Sequence, residues 1–158
     1  MKEFMLRSLL IGGGATIVMD LWAAALRRLG IPSLSLAHLG RWIGHLPRLV
    51  HANIAEAPPV HGERLLGWCA HYAIGISFAA LLLATSGLAW ARSPSLVPAL
   101  AIGVITVVAP LFVLQPALGA GIASSRTPRP VFNALKSLAT HTIYGVGLYL
   151  AALATAEV

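Results

Sequence analysis

Long apolar runs, rarely broken by a charge, dominate the pattern of this chain. An apolar helix needs about 20 residues to cross about 30 Å of hydrocarbon. Four stretches reach that length, and we expect them to be membrane-spanning helices over residues 8–28, 65–91, 95–119 and 132–156. Asp20 interrupts the apolar part of the first, whereas the second and third contain no acidic residue, lysine or arginine. The pattern predicts an all-α, integral-membrane four-helix bundle that forms one domain over residues 1–158.

The connection between the first two predicted spans, residues 30–64, is long and has its own periodicity. Apolar residues recur at helical spacing and basic residues fall on the opposite face; the first set is Leu36, Leu39, Ile43 and Leu46, and the second is His38, Arg41 and His45. This pattern predicts a short helix at the headgroup boundary, with Trp42 as its interfacial anchor.

Short spacings shared by the two halves of the chain indicate an internal duplication. Gly13 and Thr16 recur as Gly103 and Thr106, and His71 and Gly75 recur as His141 and Gly145. Two helical hairpins related in this way would be parallel repeats about an axis along the membrane normal.

Composition narrows the class of protein further. The chain is 58% hydrophobic and 10% charged, whereas soluble domains carry about 25% charged residues, so a soluble enzyme is excluded. The sequence has no nucleophile elbow, phosphate-binding glycine loop or zinc-binding His-Glu motif, so it predicts no catalytic residue and favours a protein that is not an enzyme. The chain has a net charge of +6, and its basic residues are scattered along the sequence. This distribution favours lipid headgroups over nucleic acid as partners.

Basic residues also predict the orientation. The first and third loops and their borders carry eight of them (Arg27, Arg28, Arg41, Arg48, Arg64, Arg126, Arg129 and Lys136), and the opposite side carries three (Lys2, Arg7 and Arg92). We therefore expect the first and third loops to be cytoplasmic and both termini to be periplasmic. Arg41, Arg126 and Arg129 are the expected lipid-headgroup contacts.

Polar residues inside the predicted spans gather in one half of the bilayer, on the side of the first and third loops. They are Asp20, His71, Gln115 and His141, with Thr16 on the face of Asp20 and His45 in the first loop. A charge at the bilayer centre costs about 2.5 to 3.5 kcal/mol, so such groups normally face the bundle interior. Glycines one turn away, such as Gly13, Gly75 and Gly145, allow close approach. The sequence predicts a one-sided polar pocket that binds or transports a small ligand or ion.

Other interpretations of these residues stay open. His71 and His141 are suited to be axial ligands of a haem or part of a transition-metal site. The polar groups are equally suited to joining helices in a structural protein that assembles as a homo-oligomer or within a larger membrane complex. A metal site in the first loop would use His51, Glu56, His61 and Glu63.

Several motifs together resemble a known family. They are Met19-Asp20-Leu21-Trp22, Leu39-Gly40-Arg41-Trp42-Ile43-Gly44-His45, Pro59-Val60-His61-Gly62-Glu63, Gly67-Trp68 through Gly75, and Gln115-Pro116 through Ser125-Arg126-Thr127-Pro128. They resemble the bacterial four-span inner-membrane family described only as a domain of unknown function, over nearly the whole chain. The resemblance implies a bacterial inner-membrane location and no catalytic activity. Its motifs include Asp20, His45, His71, Gln115 and Arg126.

Overall fold

Helices make up most of the part of the chain that the structure describes. This computed structural model describes residues 1–46, 53–54 and 56–157, and no strand occurs among them. The α-helices are α1 (Lys2–Arg28), α2 (Leu36–His45), α3 (Glu63–Ser86), α4 (Leu88–Arg92), α5 (Leu96–Thr106), α6 (Gln115–Ala117) and α7 (Pro130–Ala154). A π-helix, Pro110–Leu114, precedes α6, and a 3-10 turn, Ile122–Ser124, follows it. The all-α prediction is confirmed, as is the short helix in the first loop.

Four stretches are long and apolar enough to cross a membrane: Lys2–Arg28, Glu63–Ser86, Leu96–Ala117 and Pro130–Ala154. Only 22–33% of the most apolar window of each is buried within the protein. Such a large exposed apolar surface is far beyond what water-soluble monomers carry, and it suits contact with lipid tails. The four-helix membrane class is confirmed, whereas the orientation and the inner-membrane location stay predictions.

The second and third predicted spans are less regular than expected. The second predicted span reached residue 91, but α3 ends at Ser86 because Gly87 adopts φ +79, and the short helix α4 begins after it. The third span is not a uniform α-helix. Pro110 has no N–H to donate to the fourth residue before it, and the N–H of Gln115 donates to the Pro110 carbonyl five residues back, which makes the wider π turn.

The chain divides into two compact units. The bundle unit comprises Met1–Pro32, Tyr72–Thr106 and Ala139–Val158, and the loop unit comprises Ser33–His71 and Val107–Leu138. The single domain over residues 1–158 stays a prediction.

The core of the bundle unit is built from stripes at helical spacing. Its fully buried members include Ile11 and Ala15 of α1, Ala79, Leu82 and Leu83 of α3, and Leu148 and Ala152 of α7. Outward residues of α1 such as Leu9, Ile17 and Leu21 are equally apolar but about half or more exposed. Packing therefore selects one face from helices that are apolar on nearly every side.

Small residues bring the helix backbones of the bundle unit together. A Cβ on Gly12 would lie 2.5 Å from Ile76 Cα, and a Cβ on Gly103 would lie 2.7 Å from Gly145 Cα. At Gly13, by contrast, a Cβ would meet nothing within 4 Å in the described chain. The close approach of α1 to α3 thus occurs at Gly12, one residue before Gly13, the glycine that the sequence pattern indicated.

Arg7, expected only to flank the first span, is buried at one end of the bundle unit. Its Nε donates to Glu3 Oε1 at 3.0 Å, and its Nη1 lies 3.4 Å and 3.3 Å from the carbonyl oxygens of Ala91 and Thr155. Both carbonyls belong to the ends of helices, where backbone acceptors lack intrahelical partners and a positive charge is favourable. Arg7 therefore ties the ends of α4 and α7 to α1.

In the loop unit, α2 packs directly on the first turns of α3. Gly40 contacts the backbone of Glu63, and Gly67 contacts the backbone of Leu36, so neither position has room for a side chain. Arg41 adds a two-pronged ion pair, in which Nε and Nη2 each donate to one carboxylate oxygen of Glu63 at 2.8 Å. The short helix is therefore attached to the entrance of α3.

Candidate intramembrane polar site

Asp20 meets a tyrosine of the neighbouring helix inside the bundle unit. The Tyr72 hydroxyl donates to Asp20 Oδ2 at 3.2 Å, and both residues are partly buried. Asp20 lies eight residues before the end of α1 at Arg28, about 12 Å along the helix axis. The acid therefore sits well inside a membrane-compatible helix, with a hydrogen-bond donor from α3.

Two residues after Asp20, α1 makes a second polar contact of a different kind. The indole Nε1 of Trp22 donates to Thr140 Oγ1 of α7 at 3.2 Å. Neither group titrates near neutral pH, so this contact joins helices without placing an ionisable group between them.

His141 is buried against Thr106 of α5. Its Nδ1 lies 3.1 Å from Thr106 Oγ1, and that hydroxyl also lies 2.9 Å from the Gly103 carbonyl. A threonine hydroxyl has one proton. Both contacts are satisfied together when the hydroxyl donates to Gly103 and accepts from Nδ1–H, an arrangement that places a proton on Nδ1.

Tyr144, one turn after His141, extends this buried polar region toward α3. Its hydroxyl donates to the Gly75 carbonyl at 2.6 Å, and its ring centre lies 6.5 Å from that of His141. Thr16 contacts Gly75 from α1 and donates to the Gly12 carbonyl of its own helix at 2.7 Å. Thr16 therefore packs at the α1 and α3 contact, and its ligand-binding role stays a prediction.

The tyrosines were missed by the sequence reasoning. Tyr72 directly follows His71, and Tyr144 lies three residues after His141, which puts it on the same helix face. A tyrosine beside a candidate polar residue in an apolar span could have been predicted to take part in the site, because a buried hydroxyl needs a hydrogen-bond partner.

The other predicted site residues belong to the loop unit. His71 stacks edge-on with Trp68, with ring centres 6.2 Å apart. Gln115 uses both ends of its amide: Nε2 donates to Ser137 at 2.9 Å, and Oε1 accepts from Ser124 at 2.9 Å. These bonds join α6, the third loop and α7. Ligand binding by His71 and Gln115 stays a prediction.

His45 is also held by the backbone. The buried ring places Nε2 2.9 Å from the Pro58 carbonyl oxygen. A carbonyl only accepts hydrogen bonds, so Nε2 carries the proton and donates. This bond fastens the end of α2 to the segment that leads into α3.

The three arginines predicted at lipid headgroups differ in their surroundings. Arg126 and Arg129 are exposed. Arg41 engages Glu63 and also donates from Nη1 to the Ala57 carbonyl at 3.1 Å. The hydrogen bonds to Glu63 raise the pKa of Arg41 above its ordinary value. Headgroup binding stays a prediction for all three.

Among the described residues, no group of three or more histidine, cysteine, aspartate or glutamate side chains is arranged to hold a metal ion. Of the loop metal set, Glu63 is engaged by Arg41, and His51 lies outside the described residues. Axial ligation by His71 and His141 stays a prediction.

Comparison with known proteins gives a family match. The family model described as "Protein of unknown function (DUF2938)" matches residues 9–155. The chain belongs to this family. No curated protein and no solved structure matches it. The DUF2938 match confirms the resemblance to a domain of unknown function, and it covers Asp20, Tyr72, Thr106 and His141 alike.

Proposed function

We propose that this DUF2938 protein binds a small cation, the proton included, at Asp20 within its membrane bundle. The observation that supports the proposal is the hydrogen bond from Tyr72 to Asp20 inside two membrane-compatible helices. A tyrosine hydroxyl donating to a carboxylate oxygen helps to hold the negative charge in place.

The free-energy cost of placing Asp20 in a membrane-spanning helix argues that the residue has a functional role. An aspartate at the centre of a spanning helix costs about 2.5 to 3.5 kcal/mol on insertion scales. A hydrogen bond between helices in a membrane contributes only about 0.6 kcal/mol on average. Joining α1 to α3 therefore does not offset the cost of Asp20, and the Trp22 to Thr140 bond already shows how this helix joins a neighbour with neutral groups.

His141 is the second titratable group of the bundle unit that the proposal uses. It is 8% exposed, and Thr106 orients its ring. Asp20 and His141 together give the bundle unit two ionisable side chains inside membrane-compatible helices. A proton-coupled or ion-coupled transport step is the corresponding wider role.

The second candidate function is assembly without a ligand, and Gln115 favours it. Both ends of its amide join parts of the loop unit, as in a protein whose intramembrane polar groups only fix its shape. In that case the chain would serve as a structural subunit, in a homo-oligomer or a larger membrane complex.

The deciding experiment compares Asp20→Asn with Thr140→Val in the purified protein, reconstituted in lipid nanodiscs. Each variant removes one polar contact of α1, but only the first removes an acid. The unfolding temperature is measured as a function of pH. It is also measured in sodium chloride and in N-methylglucamine chloride at the same concentration. An infrared difference spectrum reports the protonated carboxyl.

We expect the wild type and Thr140→Val to share one pH or sodium dependence, and Asp20→Asn to lose part of it together with the carboxyl band. Tyr72→Phe should keep the dependence but shift its midpoint. Identical pH and sodium profiles for the wild type and Asp20→Asn would remove the basis for cation binding and leave the assembly role.

A further inference from the structure

The third loop, residues 118–129, presents two arginines that the rest of the described chain does not engage. Arg126 and Arg129 are exposed, and their guanidinium groups make no hydrogen bond or ion pair with the described residues. Arg41, which was also expected at lipid headgroups, differs from them because Glu63 holds its guanidinium group. The third loop therefore offers two cations to a ligand.

The acids of the loop unit are used elsewhere. By sequence, the unit contains only Glu56 and Glu63. Glu63 is paired with Arg41, and Glu56 accepts a hydrogen bond from Asn53. Within the described part of the unit, the charge of the third-loop arginines is therefore not neutralised by a carboxylate.

The start of α7 adds to this positive charge. The Arg129 carbonyl accepts from the Asn133 N–H at 3.0 Å, which closes the first turn of the helix. A helix N-terminus carries a partial positive charge, so a cation there is unfavourable and an anion is favourable. Arg28 is in the opposite situation, because it lies in the last turn of α1, where a cation is favourable. A bound anion would therefore stabilise the surroundings of Arg129.

The chain itself fixes the backbone that carries the two arginines. The Arg126 N–H donates to the Ala120 carbonyl at 2.9 Å. A Cβ on Gly121 would lie 2.9 Å from Arg126 Cγ, so the stem of the arginine lies against this glycine. The Asn133 amide of α7 donates to Thr127 Oγ1 at 3.0 Å, which ties the segment between the arginines to the helix. A surface fixed in advance loses less conformational entropy when it binds a ligand.

The position of the loop indicates which anion it meets. The membrane-compatible stretch Leu96–Ala117 ends just before it, and Pro130–Ala154 begins just after it. A short connection between two spanning helices lies at the level of the lipid headgroups. Beyond the arginines, Val131 and Leu135 are 70% and 59% exposed and share one face of α7. Cations followed by an exposed apolar face match the phosphate and the acyl chain of a phospholipid.

The geometry points to an anionic phospholipid bound at the third-loop surface, which consists of Arg126, Arg129, Val131 and Leu135. The lipid phosphate accepts hydrogen bonds from the two guanidinium groups, whose planar arrays of donors suit phosphate oxygens. An acyl chain lies along Val131 and Leu135. Binding forms no covalent bond. The surface does not involve Asp20, so the inference is independent of the proposed function.

The test compares phosphatidylglycerol with phosphatidylcholine that carries the same tails. Phosphatidylglycerol has a net negative charge, whereas choline neutralises the same phosphate in phosphatidylcholine. The purified full chain is titrated with each lipid in neutral detergent micelles, and native mass spectrometry counts the lipids that each protein molecule retains. The variants are Arg126→Gln, Arg129→Gln and the double variant.

Arg28→Gln is the matched control. Arg28 is also exposed and makes no hydrogen bond or ion pair with the described residues, so its replacement removes an equal charge. It lies in the last turn of α1 rather than in the third loop. Arg126→Lys and Arg129→Lys, combined in one protein, keep both charges and test whether charge at these positions is sufficient for most of the affinity.

We expect the wild type to retain phosphatidylglycerol more tightly than phosphatidylcholine. Each glutamine variant of the loop should weaken phosphatidylglycerol binding about fivefold, and the double variant about 30-fold. Arg28→Gln and the double lysine variant should stay close to the wild type. The unfolding temperature in lipid-free micelles should not change in any of them, because these guanidinium groups have no partner to lose among the described residues.

Three results would overturn the inference. Wild-type affinity in the double glutamine variant would place the lipid elsewhere on the protein. An equal loss in Arg28→Gln would mean that binding follows net charge alone. Displacement of the lipid by glycerophosphoglycerol at the same concentration would assign the arginines to a soluble phosphate compound, because this molecule is the headgroup without its tails.

Discussion

Two helix contacts of the bundle unit correspond under the suggested repeat: α1 with α3, and α5 with α7. Both rely on a glycine that lets the two backbones pack closely. Gly12 approaches Ile76 in the first contact, and Gly103 approaches Gly145 in the second. Small residues let helices approach until their backbones touch, which replaces the hydrophobic driving force that is missing in lipid. The likeness agrees with the suggested duplication, which stays a prediction.

The polar groups at the two contacts differ. In the second contact, Thr106 and His141 are both less than 10% exposed and lie beside the glycine crossing. In the first, Thr16 donates to the carbonyl of Gly12 in its own helix. Asp20 and Tyr72 meet one helical turn further on and are partly exposed. One contact thus encloses its histidine, whereas the other leaves its acid partly exposed.

Adding a methyl group at the crossings should have the largest effect. Gly103→Ala places a Cβ 2.6 Å from the His141 carbonyl oxygen, and Gly12→Ala places one 2.5 Å from Ile76 Cα. Because backbone must move, we expect each variant to lower the free energy of unfolding by about 3 kcal/mol, the upper end for overpacking. Equilibrium unfolding in mixed micelles measures it.

Gly13→Ala is the matched control, since it adds the same methyl group one residue away where a Cβ meets nothing within 4 Å of the described chain. Alanine is the better helix former by about 1 kcal/mol, so stability should stay equal or rise slightly. Equal losses from Gly12→Ala and Gly13→Ala would show that the crossing is not where the structure has it.

Removing a threonine hydroxyl should distinguish the two contacts more finely. Thr106→Val removes the hydroxyl that bonds the buried Nδ1 of His141, so we expect a loss of about 1.5 kcal/mol. Thr16→Val removes only a bond within α1 and should cost less than about 0.5 kcal/mol. The same unfolding assay measures both, and a larger loss for Thr16→Val would reverse the assignment of the enclosed site.

Tyr72→Phe should have a small effect on stability. It removes one partly exposed bond between helices, which in membranes averages about 0.6 kcal/mol. Thr140→Val removes a comparable bond between α1 and α7 and should cost about the same. Only Tyr72→Phe should also change the pH or sodium dependence assigned to Asp20; the same change in Thr140→Val would mean that the dependence reports general loosening of the bundle.

Much of the architecture was predictable because hydrocarbon selects for length and apolarity. The four apolar runs specified the four membrane-compatible helices, and the periodicity from Leu36 to Leu46 specified α2. The end of α3 was harder to predict from the sequence, because the positive φ of Gly87 ends the helix while the sequence after it stays apolar. The candidate residues Asp20 and His141 were visible as polar interruptions, but their partners were not.

The amino-acid sequence by itself determined that the chain is helical, that four stretches are suited to a membrane, and that an acid and several histidines fall inside them. Only the tertiary structure decided that Gly12 rather than Gly13 makes the close contact with α3. It also decided that Tyr72 bonds Asp20 and that Thr106 bonds His141. The hydrogen bonds of the Gln115 amide to Ser124 and Ser137 were likewise visible only in the folded chain. The physical reason is that a helix apolar on almost every side carries no periodic signal of its rotation. That rotation is set by backbone contact with its neighbours.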